Sequence, residues 1–261
     1  MNPIKFAIQL AKETGQILLN FYQRAGIQSK LKSDQTIVTE ADKQADQYLR
    51  QQISSSYPED GILSEEACTV YPTNKKAVWI IDPLDGTTNF SLGLHYWGIS
   101  IARLENGIPV IGVLYFPLLD EIFTAVKGGG AFLNGDRLEV KPPKPMQFTS
   151  FFSCCSRTIR HYDVDLKYKT RILGSAAYGL ATVARGSAII SCEITPKVWD
   201  FSASWLITKE ANGYITPLAG KGPYPLSPGI DYEGLSFPLL AAASPEFLVE
   251  GKTKIREKRS G

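Results

Sequence analysis

The chain has 261 residues, of which 44% are hydrophobic, and it carries 28 Lys and Arg against 26 Asp and Glu. This length fits one large domain or two tightly fused ones, and the composition excludes wholesale disorder. A formal charge of +2 gives no global electrostatic reason to expect nucleic acid or an anionic membrane as the partner. The two histidines, His95 and His161, are too few for a His-rich zinc or iron site, so carboxylates and hard metal ions are the expected tools of any hydrolase here.

The four cysteines form no CxxC pair, which excludes a zinc ribbon and a thioredoxin-type motif. Cys154 and Cys155 are neighbours, and a disulfide between neighbours would be strained. No apolar run reaches the roughly 18–20 residues that a membrane span needs, and the charged N-terminal pattern is not that of a signal peptide. We therefore expect reduced, mostly buried thiols in a cytoplasmic protein.

Two helices are predicted near the start of the chain. Apolar residues at helical spacing predict the first over residues 3–24, and the polar stretch 30–37 indicates an exposed loop. The run from Thr39 to Asp42 has the form of a capping box, so we expect a second helix from Thr39 to about Ser54–Ser56.

β-rich runs follow, and two turn signals organise them. Asn106-Gly107 lies between two runs and predicts a hairpin, and Asn134-Gly135 predicts another. The predicted strands of this part cover residues 78–81, 99–104, 110–115 and 122–126.

The proline-rich stretch 141–145 predicts a boundary between two halves. We expect an α+β half over residues 1–145 and a layered α/β half over 146–261, tightly fused as one unit. The second half alternates predicted strands at 148–154, 188–194, 214–217 and 239–243 with predicted helices at 175–185, 200–211 and 245–257.

The stretch from Trp79 to Phe90 is the most informative part of the sequence. An apolar strand runs into Asp82 and Asp85, which are separated by a proline that stops the strand from continuing regularly. Two carboxylates this close repel each other unless a cation lies between them, and hard oxygen ligands suit Mg²⁺. Taken alone, the pattern favours an ordinary β-turn capped by Asp82 and Asp85.

Other acidic residues give weaker signals. Asp200 precedes a predicted helix and has the position of an N-cap residue, while Glu65 and Glu66 follow a short apolar run. Asp42 is the last member of the capping box. Each of these residues has an ordinary structural explanation, and their spacing does not join them.

The combination resembles the inositol monophosphatase family of metal-dependent phosphatases over nearly the whole chain. The first family signature is similar to residues 79–90 and the second to residues 199–213, and the runs 38–42 and 65–66 fit in order and approximate spacing. The resemblance implies a five-layered α-β-α-β-α sugar-phosphatase-like fold, two to three Mg²⁺ ions per active site, and a homodimer.

The resemblance also implies roles. Glu65, Asp82 and the carbonyl of Leu84 would hold a first Mg²⁺, and Asp82, Asp85 and Asp200 a second. Thr87, oriented by Asp42, would help to deprotonate the attacking water, so that Asp42, Glu65 and Thr87 form the catalytic set. The residues expected to bind substrate are Gly86, Thr87, Thr88, Ser175, Ala176, Glu193 and Asp200.

Two departures from the family pattern affect the substrate side. The segment 156–171 is shorter than usual and is expected to lose a helix, and Asn212 stands where a second glycine is usual. Arg171 and Lys197 are candidates for the pocket rim. These differences concern alcohol specificity and dimer contacts and leave the metal ligands intact.

The predicted function is Mg²⁺-dependent hydrolysis of a small phosphate monoester, with myo-inositol monophosphate as the lead substrate. Fructose 1,6-bisphosphate, histidinol phosphate and 3'-phosphoadenosine 5'-phosphate are alternatives within the class. A non-catalytic sensor of metal and phosphate ligands is the alternative outside it. The sequence contains no complete GxGxxG and no GxxxxGK[ST], so neither a dinucleotide site nor a P-loop is supported.

Overall fold

The computed structural model of the protein describes residues 2–22, 29–31, 37–141 and 150–258. The α-helices of these residues are α1 (Pro3–Tyr22), α2 (Glu40–Ser56), α3 (Thr87–Ser91), α4 (Ser156–His161), α5 (Ala176–Ala184), α6 (Val198–Glu210) and α7 (Pro245–Lys254). The strands of the first half are β1 (Ser29–Leu31), β2 (Ile37–Thr39), β3 (Gly61–Ser64), β4 (Ala77–Asp85), β5 (Gly98–Glu105), β6 (Ile108–Phe116), β7 (Glu121–Val126), β8 (Gly130–Leu133) and β9 (Asp136–Leu138). The strands of the second half are β10 (Phe151–Cys154), β11 (Tyr162–Val164), β12 (Lys169–Arg171), β13 (Ala188–Glu193), β14 (Tyr214–Pro217), β15 (Leu239–Ala242) and β16 (Ile255–Glu257).

A seven-stranded sheet in the order β3 to β9 forms the frame of the first half. Its strands pair antiparallel except β3 and β4, which are parallel. The two hairpins predicted at Asn106-Gly107 and Asn134-Gly135 join β5 to β6 and β8 to β9. Backbone φ is positive at all four of these residues, a conformation that Asn and Gly adopt most easily.

This sheet is covered by helices on both faces, and its sequence shows why. Along β4, Trp79 and Ile81 pack with α1 and α2 on one face, whereas Val78 and Ile80 pack with α5 and α6 on the other. Because side chains alternate across a strand, a run that is apolar at every position has both faces buried. The uninterrupted apolar run before Asp82 is therefore typical of a strand in a sheet that is buried on both faces.

The second sheet has five strands in the order β12, β10, β13, β15 and β14. Its first three strands are parallel, and β15 is antiparallel to both of its neighbours. One face packs with α5 and α6, and the other carries a separate apolar cluster that includes Phe152, Ile190, Leu240 and side chains of α7. The layers thus follow the order α-β-α-β-α, which is the predicted architecture.

The middle layer holds the two sheets together. Helix α6 is buried on nearly every side from Val198 to Thr208, as expected of a helix enclosed between two sheets. The seven-stranded sheet ends before residue 141 and the five-stranded sheet begins after residue 150, so we propose that the two predicted halves form one tightly fused unit. The predicted boundary itself falls almost wholly within 142–149, outside the described residues.

Three predicted elements need correction. Residues 30, 31 and 37 belong to a short antiparallel ribbon of β1 and β2 rather than to a loop, because hydropathy does not reveal pairing between such short polar segments. The last helix stops at Lys254, and residues 255–257 form β16, which pairs with β11 and buries Ile255. Helix α6 begins at Val198, so Asp200 lies inside its first turn rather than ahead of it.

The segment expected to lose a helix keeps one of six residues, α4. The four cysteines are free thiols: Cys154 and Cys192 are buried, Cys155 is half-buried and Cys68 is exposed. Among the described residues, no helix is long and apolar enough to cross a membrane.

Candidate active site

Asp82 and Asp85 lie at the irregular end of β4. The strand pairs with β5 as far as Asp82 opposite Ser100, breaks register, and resumes at Asp85 opposite Gly98. Pro83 has no N–H to give to the ladder, and the Asp82 carboxylate accepts a hydrogen bond from Leu84 N at 2.9 Å. The break turns both aspartates towards one end of the sheet, as a bulge beside a functional site commonly does.

Parallel pairing brings Glu65 to the same place. Ser64 of β3 lies opposite Ile81 of β4, so the residues that follow them, Glu65 and Asp82, leave the sheet side by side. Asp200 arrives from the first turn of α6, where its carboxylate accepts a hydrogen bond from Lys197 N at 2.8 Å. The Ser100 hydroxyl donates to Trp199 O at 2.8 Å and ties this end of α6 to the first sheet.

Glu65, Asp82 and Asp200 form one acidic cluster, in which carboxylate oxygens of the three residues lie within 4.8 Å of one another. Burial raises the pKa of Asp82 well above its usual value, and the charges of Glu65, Asp85 and Asp200 raise it further. Burial, Glu65 and Asp85 also raise the pKa of Asp200. Charged groups held in this way repel unless a cation joins them, and the all-oxygen donor set fits a hard divalent ion such as Mg²⁺.

Asp85 lies beside this cluster and faces the start of α5. Its Oδ1 accepts a hydrogen bond from Ala176 N at 3.1 Å, and its Oδ2 accepts from Ala177 N at 3.2 Å and from the Ser175 hydroxyl. Burial raises the pKa of Asp85 to about 6 against the opposing effect of these hydrogen bonds. A carboxylate oxygen has two lone pairs, so Oδ1 is able to bind a cation as well.

Thr87 connects the β4 turn to helix α2. Its hydroxyl lies 3.2 Å from Asp42 Oδ1 and 3.0 Å from Leu84 O, and its single proton can be donated to one of them at a time. Asp42 itself is buried in the first turn of α2. Gly86 precedes Thr87 with φ of 87°, and a Cβ there would lie 2.7 Å from Tyr96 O, so this turn requires glycine.

A cavity of about 320 Å³ opens beside the acidic cluster. It is lined by Thr88, Ser175, Ala176, Glu193 and Asp200, five of the residues expected to bind substrate. Ser175 also caps α5, because its side-chain oxygen accepts a hydrogen bond from Tyr178 N at 3.1 Å. Gly86 and Thr87 belong to the adjoining turn.

Glu193 is buried in the wall of this cavity at the end of β13. Burial raises its pKa well above the usual range, and neighbouring Cys155 and Asp85 raise it further. Gly179 of α5 lies against it, since a Cβ at Gly179 would come within 2.8 Å of Glu193 Oε1. The wall is therefore closely packed behind the carboxyl group.

Other lining residues were missed by sequence reasoning, and they come from α3, α4 and the loops flanking α5 and α6. They are Asn89, Cys155, Ser156, Arg157, Ile172, Thr195 and Pro196. Arg171 is exposed and is not one of the residues lining the cavity, where Arg157 supplies a guanidinium instead. A signal for Asn89 existed in the first signature; its side-chain amide donates to Tyr96 O at 2.6 Å and Leu173 O at 2.8 Å.

A buried polar group supports the acidic cluster from behind. Asp46 of α2 accepts hydrogen bonds from the Ser64 hydroxyl and, at 2.7 Å, from Arg50 Nε. Ser64 Oγ also accepts a hydrogen bond from Glu66 N at 3.3 Å. These contacts hold the turn that carries Glu65.

Comparison with known proteins agrees with this geometry. The profile of the inositol monophosphatase family matches residues 2–247. The chain belongs to the inositol monophosphatase family. It is therefore a phosphoric monoester hydrolase, and the family's general dependence on metal accords with the cluster of Glu65, Asp82 and Asp200.

Relatives in this family carry different names. A fructose-1,6-bisphosphatase/inositol-1-monophosphatase of Thermotoga maritima is 34% identical over 232 residues, covering 85% of this chain and 87% of its own. A histidinol-phosphatase of Chlorobaculum parvum is 32% identical over 239 residues, covering 89% and 90%. The solved structure of the extragenic suppressor protein SuhB from Bartonella henselae superposes with a TM-score of 0.82 at 26% identity, covering 97% of this chain and 98% of that one. Family membership thus fixes the reaction class more firmly than the substrate.

Proposed function

We propose that the chain hydrolyses a small phosphate monoester with Mg²⁺, and that myo-inositol monophosphate is the lead substrate. The observation that carries this proposal is the cluster of Glu65, Asp82 and Asp200, whose carboxylates converge within 4.8 Å beside a cavity of about 320 Å³. By resemblance, Glu65, Asp82 and the Leu84 carbonyl would hold one Mg²⁺, and Asp82, Asp85 and Asp200 a second. When bound, Mg²⁺ would supply positive charge that polarises the phosphate and favours ionisation of water.

The chain's own residues then handle the protons. Thr87 Oγ accepts a hydrogen bond from the attacking water, and its own proton is directed at Asp42 Oδ1. As the water oxygen bonds to phosphorus, its proton passes through Thr87 to Asp42. The ester P–O bond breaks, and the leaving alkoxide takes a proton from a second water. The hydroxide formed is neutralised by the proton held on Asp42, which restores the carboxylate, so that one water is consumed in total for each phosphate and alcohol released.

Substrate binding divides between two sets of residues. The backbone N–H groups of the 86–88 turn are proposed to hold the phosphate. Ser175, Ala176 and Glu193 line the cavity where the alcohol would lie. Because Glu193 is buried in this wall, it is suited to hydrogen-bond hydroxyl groups of a polyol.

The alternative substrates remain fructose 1,6-bisphosphate, histidinol phosphate and 3'-phosphoadenosine 5'-phosphate. The names of the Thermotoga and Chlorobaculum relatives support inclusion of the first two. A cavity of about 320 Å³ lies at the lower end of the range of small-molecule pockets, roughly 300–1,000 Å³, which favours a sugar or polyol over a nucleotide.

The test is phosphate release from these three substrates and from myo-inositol 1-phosphate, with Mg²⁺ and with excess chelator. We expect Mg²⁺-dependent turnover of at least one substrate and none in chelator. Absence of turnover with every substrate would favour the non-catalytic sensor, and equal turnover in chelator would contradict the Mg²⁺ role. Inhibition by lithium is a further check, and light scattering tests the expected homodimer.

A further inference from the structure

Arg157 is the feature of the cavity that the proposed mechanism does not use. It is the second residue of α4, in the segment that is shorter than usual for the family. Among the described residues that line the cavity, Arg157 is the only one with a positive charge, whereas Glu193 and Asp200 are acidic.

The guanidinium of Arg157 has few protein partners. Its Nη1 donates to Thr195 Oγ1 at 3.0 Å, and within the described part of the chain no carboxylate forms an ion pair with it. Arg103, by contrast, pairs with Asp60 at 2.8 Å and with Glu105 at 2.5 Å. A guanidinium has five N–H donors, so most of those on Arg157 are available to a ligand.

Arg157 belongs to α4, a different element of the cavity wall from the turn that is proposed to hold the reacting phosphate. That phosphate is proposed to lie at the 86–88 turn, whereas Arg157 donates to Thr195 Oγ1 and, among the ion pairs of the described residues, has none with Asp200 or Glu193. A fork of N–H donors matches the oxygens of a phosphoryl group, which it binds by two parallel hydrogen bonds. The cavity therefore has Asp200 for the metal and Glu193 for the hydroxyl groups of the substrate. The Arg157 guanidinium is left for a second anionic group of the same substrate.

We propose that Arg157 binds a second phosphoryl group on the substrate, so that the enzyme prefers polyol or sugar bisphosphates over the corresponding monophosphates. This inference rests on the proposed function and narrows its substrate class. It places fructose 1,6-bisphosphate above myo-inositol monophosphate. It also disfavours histidinol phosphate, because the amino group of that substrate is a cation and would be repelled by the guanidinium.

The experiment compares two substrates with the same scissile group, fructose 1,6-bisphosphate and fructose 1-phosphate, by kcat/KM in saturating Mg²⁺. The variants are Arg157→Gln, Arg157→Lys and, as the matched control one turn further along α4, Arg160→Gln. We expect Arg157→Gln to lower the ratio of bisphosphate to monophosphate kcat/KM roughly 10- to 100-fold, mostly through KM, since a charge-assisted hydrogen bond is lost. Arg157→Lys should restore part of the ratio, and Arg160→Gln should leave it within twofold of the parent.

Salt gives a second readout. The guanidinium is exposed, so raising the ionic strength should lower the ratio for the parent protein more than for Arg157→Gln. An unchanged ratio in Arg157→Gln would overturn the inference, and so would turnover of fructose 1-phosphate without turnover of the bisphosphate. Failure of the proposed function itself looks different, because no substrate would then release phosphate in the parent protein.

Discussion

The acidic cluster and the alcohol-facing wall are built in different ways. Two of the cluster's three carboxylates, Glu65 and Asp82, lie at the ends of two adjacent parallel strands, whose register is set by β-sheet hydrogen bonds, and Asp200 joins them from the first turn of α6. The wall instead combines Arg157, Ser175 and Glu193, which come from three separate elements. Most of the first region thus depends on the register of one pair of strands, whereas the second depends on how a short helix and two further elements pack together. We therefore expect substitutions in the wall to change substrate preference more readily than they change the reaction itself.

Asp82→Asn is the change expected to have the largest effect on the cluster alone. Losing one carboxylate of the three should lower kcat roughly 1,000-fold or more, because the charge that holds the cation is reduced. Without metal, the melting temperature should stay equal or rise, since burial and like charges oppose the ionised form of Asp82. Thermal melts with and without Mg²⁺ check this, and a variant that melts well below the parent without metal would contradict it.

Asp85→Asn should disable both regions at once. Asp85 accepts hydrogen bonds from Ser175, Ala176 and Ala177 at the start of α5, and an amide cannot accept all of them. We expect loss of turnover together with a melting temperature lower by roughly 3–10 °C, from about 1.5–3 kcal/mol of lost charge-assisted bonding.

Comparison of the two asparagine variants tests the link between the regions. Activity assays and metal-free melts on both proteins provide the data. Near-normal activity in Asp85→Asn would contradict the proposal that Asp85 is a metal ligand. Identical melting temperatures for the two variants would contradict the proposal that the hydrogen bonds of Asp85 stabilise the start of α5.

Gly179→Ala addresses the wall without touching the cluster. The new methyl group would come within 2.8 Å of Glu193 Oε1, so the carboxyl group or α5 must shift. Overpacking of about 1–3 kcal/mol should raise KM for a polyol phosphate roughly 5- to 100-fold while the Mg²⁺ concentration for half-maximal activity changes little.

The matched control for this variant is Gly234→Ala, where an added Cβ meets nothing within 4 Å. Steady-state kinetics over a matrix of substrate and Mg²⁺ concentrations separates the two parameters. A Gly179→Ala protein whose main defect is weak Mg²⁺ binding would show that wall and cluster are not independent.

Ser64→Ala should give the smallest effect, and it should affect the cluster only. The change removes the hydrogen bond from Ser64 to Asp46 behind the Glu65 turn. Loss of this hydrogen bond should cost about 1 kcal/mol of Mg²⁺ binding free energy, so the Mg²⁺ concentration that gives half-maximal activity should rise roughly fivefold. The substrate preference should stay unchanged.

Ser64→Thr, which retains the hydroxyl, should recover most of the Mg²⁺ response. Isothermal titration of Mg²⁺ into the three proteins measures the change directly. If Ser64→Ala binds Mg²⁺ like the parent, the hydrogen bond between Ser64 and Asp46 contributes to the stability of the fold and not to Mg²⁺ binding.

The sequence predicted the elements near the site well wherever the signal was local. The apolar run before Asp82, the hairpin at Asn106-Gly107 and the Ser175 cap all correspond to observed structure. Asp200 was predicted to be the N-cap of its helix but lies three positions further along, because Lys197 is the N-cap and the Asp200 carboxylate accepts a hydrogen bond from the Lys197 backbone. Such a reversed capping arrangement depends on where the preceding chain enters, and residue preference alone does not reveal it.

By itself, the sequence determined the family, the reaction class and the candidate ligands, because acidic residues at fixed positions after an apolar strand form a compact and specific pattern. Tertiary structure decided what those residues meet. The parallel register of β3 and β4 places Glu65 beside Asp82, the start of α5 receives Asp85, and α4 brings Arg157 to the cavity. Glu65 and Asp82 are 17 positions apart in the sequence, and Asp85 and Ala176 are 91 positions apart. Approach over such distances is set by packing of whole layers, which no local pattern of side chains encodes.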